Sequence, residues 1–180
     1  MQVFNGTWRL LRLALRAEKW WIVGWVGGLA LFFAFAVAAV DNLFATDAEL
    51  QEGIALFVQN PAVRLFAMPT GGDAVGDFVS MRLYVTFAVL AALMSIFMAT
   101  RQTRGVEETT QAELLTSTPV GRLSQLSAAC GLVVVANVVL VLAGSLVMVG
   151  LGLPLEGALL QTSVVGAVGV VFGLIAALVA

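Results

Sequence analysis

The chain has 180 residues, of which 61% are hydrophobic and 11% charged, and its mean hydropathy is +1.01. An ordinary soluble domain carries about 25% charged residues, so this composition excludes a soluble fold and requires a lipid solvent for most of the apolar surface. With no histidine and a single cysteine, Cys130, an internal disulfide is impossible and a cysteine/histidine metal site is ruled out.

The first 19 residues place Arg9, Arg12, Arg16 and Lys19 at 3-4-3 spacing, one stripe on a helix, with Trp8, Leu11 and Leu15 as an apolar line beside it. Such a pattern suits a helix lying in the membrane interface with its cations toward acidic headgroups; a plain basic flank that fixes topology is the alternative. Trp20, Trp21 and Trp25 then mark the interface where the chain enters the bilayer. The apolar run that follows is long enough to span and has no small-residue cleavage motif, so it is no secretory signal.

A spanning helix needs about 20 apolar residues. Four segments meet that need: 20–40, 78–100, 123–150 and 161–180. The fold expected is therefore all-α and polytopic, an N-terminal elbow helix over 1–19 followed by four transmembrane helices. The connector 41–77 is too long for a bare loop, and its apolar stretch 54–68, interrupted by Asn60-Pro61, predicts a pair of short extracellular or interfacial helices before a turn at 69–73. The connector 151–160 is a second outer loop.

The connector 101–122 differs from everything around it, because it gathers three arginines and three glutamates between two nearly uncharged runs. Seven of the nine basic residues lie before the first span or in this connector, against Arg64 and Arg82 elsewhere. The asymmetry predicts that the N-terminus and the 101–122 connector are cytoplasmic. From Arg104 to Ser117 no proline interrupts the chain, and Val106, Glu107, Gln111, Glu113, Leu114 and Leu115 fall at spacings of a short amphipathic helix ended by Pro119. An ordinary charged loop is the other reading.

Catalysis finds no support. Without histidine the usual nucleophile–base arrangements fail, and the lone lysine, Lys19, is not preceded by a phosphate-cradling glycine pattern. If ATP is used, another chain binds it together with its magnesium ion. Gly24-x-x-x-Gly28 and Gly169-x-x-x-Gly173 are read as packing faces. Asn137 is the deepest polar residue in the third span, either an interhelical hydrogen bond or part of a substrate path; Thr86 is a second, less costly candidate for such a path.

Thr103-Arg104-Gly-Val-Glu107-Glu108-Thr-Thr-Gln-Ala-Glu113-Leu114-Leu115, with Thr118-Pro119-Val120-Gly121-Arg122, resembles the first cytoplasmic loop of ABC-2-type transporter permeases, most of all actinobacterial exporters of polyketide antibiotics. The basic segment followed by tryptophans and the Asn60-Pro61-Ala62 of the outer loop are similar to the same group. The likeness runs along nearly all of the chain, and the loop motif is its specific part. It departs at Val106, where an acid is common, Thr110, where glycine is expected, and Gln111, where a basic residue is frequent.

The resemblance implies that 1–19 is an elbow helix on the inner leaflet. It implies a coupling helix in which Arg104, Glu107, Glu108, Glu113, Leu114 and Leu115 face a separate ATP-binding subunit. It further implies export of drugs, antibiotics or lipids, and six spans rather than four. The chain is then expected to be an N-terminal portion, completed by a second permease half or by its own C-terminal half, with no nucleic-acid partner. A membrane scaffold without transport of its own is the competing expectation, from a different class.

Overall fold

The computed structural model describes residues 6–44, 46–59, 61, 74–107 and 123–179. Among them every regular element is a helix. The helices are α1 (Thr7–Leu43), α2 (Asp47–Gln59), α3 (Ala74–Glu107), α4 (Ser124–Gly150) and α5 (Leu155–Val179). Four of them, all but α2, are long and apolar enough to cross a membrane, as the composition predicts.

Their lengths differ in an informative way. At about 1.5 Å of rise per residue, the 37 residues of α1 reach roughly 55 Å and the 34 of α3 roughly 50 Å, against a hydrocarbon core of about 30 Å. Both therefore overhang the bilayer, whereas α4 and α5, with 27 and 25 residues, exceed that core by only about 10 Å, which tilt and the headgroup layers accommodate.

Two boundaries differ from the expectation. The segment expected as a separate elbow over 1–19 and the span over 20–40 form one helix from Thr7, unbroken at Trp20. No proline or glycine lies between Thr7 and Val23 to interrupt the backbone ladder. The second correction concerns the outer loop 151–160, which shrinks to four residues, because α5 begins at Leu155 rather than at 161. Gly152 takes φ of +96°, its N–H bonds Val149 O at 3.0 Å, and Leu153 N–H bonds Met148 O at 3.1 Å. These are the two bonds of a Schellman stop. Pro154 follows as the cap of the next helix, its carbonyl accepting from Ala158 N–H at 3.0 Å, and Glu156 sits in the first turn where the helix dipole favours an acid.

The helices divide between two compact units. One comprises 1–25, 91–138 and 167–180, the other 26–90 and 139–166. In the first, Ala99, Val133 and Ala177 form a buried cluster with Leu126, Cys130 and Ala176 against it. Its close packing rests on small residues: Gly131 lies under the Leu11 side chain, and Gly169 and Gly173 of α5 lie under Asn137, Val133 and Ser95. The packing role expected of Gly169 and Gly173 is met, whereas Gly24 and Gly28 have open space where a Cβ would stand.

In the second unit Phe33 of α1 stacks on Phe87 of α3 with centroids 3.8 Å apart and planes 15° from parallel, and Phe32 adds a tilted contact at 4.8 Å. Phe44 meets Phe78 edge-on at 5.1 Å, and its ring also lies against Gly53 of α2. Thr46 caps α2 by accepting from Glu49 N–H at 3.3 Å. Thus α2 lies within the 41–77 connector and overlaps the apolar stretch 54–68 only over 54–59; residues 60 and 62–68 of that stretch, and the turn at 69–73, lie outside the described residues. Large apolar side chains such as Leu31, Phe35, Leu142, Leu146 and Leu178 remain exposed on the helices, as a lipid-facing perimeter requires.

Candidate functional site

The N-terminal part of α1 presents two faces. Leu11, Ala14, Glu18 and Ile22, spaced three or four apart, turn inward; Arg9, Arg12, Arg16, Lys19 and Trp20 are exposed. The cationic stripe read from the sequence is thus on the outer face, where Lys19 Nζ lies 5.4 Å from the centre of the Trp20 ring.

Glu18 is the residue that sequence reasoning missed. It is only 6% exposed, and its Oε1 accepts from Arg101 Nε and from Gln102 Nε2, each at 3.3 Å. Arg101 carries a second contact, its Cζ standing 4.8 Å from the centre of the Trp21 ring. Trp21 packs edge-on against Trp25 at 6.1 Å, and Trp25 against Phe97 at 6.4 Å. Gln125 of α4 donates from Nε2 to Gln102 O at 3.3 Å. The overhang of α3 is therefore fastened to α1 by a carboxylate and an indole, and to α4 by an amide. Thr100 and Thr103 hydroxyls bond back to Ile96 O at 2.9 Å and Ala99 O at 3.0 Å within the same stretch.

These contacts hold the root of the charged connector. Arg104 and Glu107 lie on the last turns of α3. Glu108, Glu113, Leu114 and Leu115, the remaining residues of the expected coupling surface, lie outside the described residues, as does Arg122.

The fastening is incomplete. Oε2 of Glu18 and Nε1 of Trp21, buried and three residues apart on α1, have no hydrogen-bond partner among the described residues. A buried carboxylate oxygen left unpaired costs free energy. The ion pair it belongs to is one-sided, with Arg101 about half exposed and meeting Glu18 through Nε.

A second polar centre lies in the membrane-spanning part of the same unit. Asn137 Nδ2 donates to Ser95 Oγ at 2.8 Å and to Val133 O at 2.9 Å, so the residue joins α4 to α3. Of the two readings open for Asn137, the interhelical bond is the one its contacts match. Thr86 belongs to the other unit and is exposed. That unit has its own polar link, Ser145 Oγ to Thr162 Oγ1 at 2.6 Å, with the Thr162 hydroxyl also 2.8 Å from Ala158 O.

No protein-family model matches the chain. Over 178 residues, 98% of its length, the chain is 30% identical to a multidrug efflux system permease protein of Mycobacterium tuberculosis. It spans about a third of that relative, 32% of its length. Four spanning helices and this relative make the chain a multi-pass protein of a bacterial cell membrane.

Proposed function

We propose that this chain is part of the membrane-spanning permease of an ABC exporter, driven by a separate ATP-binding subunit that grips the 101–122 connector. The observation that carries the reading is the similarity along 98% of the chain to a multidrug efflux permease. ATP and its magnesium ion belong to the partner. The cargo is hydrophobic or amphipathic: drugs, antibiotics or lipids. Further helices, from a second permease half or from a longer chain, complete the pathway.

The geometry supports a route for force. Movement of a docked ATPase against the connector reaches α3 directly, and the Glu18 and Trp21 contacts pass it to the N-terminal overhang of α1. The exposed Arg9, Arg12, Arg16 and Lys19 would meanwhile bind acidic headgroups of the inner leaflet.

Reconstitution of the full-length permease with its ATPase tests this. Charge reversal at Glu107 and Glu108 should abolish drug-stimulated ATP hydrolysis and efflux while membrane insertion stays intact. Unchanged coupling in that double variant would overturn the proposed docking surface, and failure of any ATPase to co-purify with the wild type would overturn the exporter reading itself.

A further inference from the structure

We propose that Glu18, Trp21 and Trp25 form a binding site for planar, delocalised organic cations, of which the Arg101 guanidinium is the chain's own competing occupant. The chemistry is on display in the resting contact. A flat cation sits 4.8 Å from the Trp21 ring centre and 3.3 Å from a buried carboxylate oxygen. An indole face and a carboxylate in a poorly hydrated setting are the two elements that attract such a cation.

Arg101 fills the site poorly. Among the described residues it offers Glu18 one N–H where a guanidinium can offer a two-pronged pair, its side chain is 54% exposed, and Glu18 Oε2 is left unsatisfied. A structural ion pair selected for strength alone would use both oxygens. A ligand with an aromatic cationic plane and amino N–H groups would stack more fully on Trp21 and reach Oε2. Trp25 and Phe97, which continue the aromatic row, would extend the apolar wall beside it. Because Arg101 stands on the last turns of α3, its displacement would also loosen the root of the charged connector, so that occupancy is felt where the connector begins.

The site goes beyond the exporter reading and is tested without ATP, transport or any partner. Ethidium, a planar cation with amino donors, is titrated onto the full-length protein in nanodiscs and its binding followed by fluorescence anisotropy. Wild type should bind saturably. Arg101→Ala, which removes the competitor, should tighten binding by about tenfold, the scale of a desolvated cation–π contact. Arg101→Lys, which keeps the charge but not the plane, should fall between. Glu18→Gln, close in shape to the native residue, should weaken binding by a similar factor, and Trp21→Leu should weaken it further.

An unchanged or weakened affinity in Arg101→Ala overturns the proposal, because a merely structural arginine predicts that result. So does an unchanged affinity in Glu18→Gln. Elution as a single species on size exclusion qualifies each variant, and should Arg101→Ala fail that check, Arg101→Gln carries the same test.

Discussion

Asn137 on α4 and Ser95 on α3 share a 2.8 Å hydrogen bond at a point where both side chains are almost wholly buried. The amide also bonds back to Val133 O, which leaves Oδ1 as its unpaired end among the described residues. In lipid such a bond has no water competing for it, yet measured interhelical bonds average only about 0.6 kcal/mol and reach about 1.7. Asn137→Ala and Ser95→Ala should each destabilise the protein on that scale. The double variant should lose less than the sum of the two. Chaotrope unfolding in bilayers, run as a double-mutant cycle, reads the coupling, and strict additivity would show that the bond contributes nothing.

The same contact fixes what α5 can carry. A Cβ on Gly169 would stand 3.0 Å from Asn137 Cγ and 3.1 Å from Ser95 Oγ; on Gly173 it would stand 2.5 Å from Val133 Cγ1 and 2.8 Å from Ser95 Cβ. These are close neighbours held by the helices around them, not the loose ends of long side chains. Gly169→Ala and Gly173→Ala should therefore lower stability by about 1–3 kcal/mol, the usual cost of overpacking. Gly24→Ala and Gly28→Ala meet nothing within 4 Å and should be neutral or gain up to about 1 kcal/mol from helix propensity. Equal effects at all four positions in thermal unfolding would refute the distinction.

Gly152 is a separate case, because its constraint is torsional. Its φ of +96° ends α4, and space around it is open. Gly152→Ala should cost about 1–2 kcal/mol for lack of left-handed freedom, and Gly152→Asn should cost less, since asparagine tolerates that region best among side chains. A melt that ranks alanine above asparagine would contradict this.

Much of this architecture could be read in advance, and what could not has specific causes. The four spans are legible because a long apolar run has few other uses. The packing role of Gly169 and Gly173 follows from their four-residue spacing, but which side chains fill the groove does not, for Ser95 and Asn137 are 42 residues apart. The boundary expected at Trp20 has no backbone signal behind it: tryptophans mark depth in a membrane, not the end of a helix. The start of α5 was legible in Gly152-x-Pro154-x-Glu156, a stop, a cap and a first-turn acid, yet apolar-run length points instead to 161. Glu18 is hidden for a different reason. Within Arg16-Ala-Glu-Lys it resembles one more interfacial charge, and its partner Arg101 is 83 residues distant.

Orientation is the expectation on which the docking proposal depends, and it rests on seven basic residues against two. The bias arises because lysine and arginine near span ends resist translocation. With Cys130 replaced by alanine, a cysteine at Ser117 should react with a membrane-impermeant maleimide only after the cells are permeabilised. A cysteine at Glu52, an exposed position on α2, should react in intact cells. One span separates the two connectors in the chain, so the pair must label oppositely whatever the absolute direction. Labelling of Ser117→Cys from outside, with Glu52→Cys protected, would invert the topology and remove the connector from reach of any cytosolic ATPase.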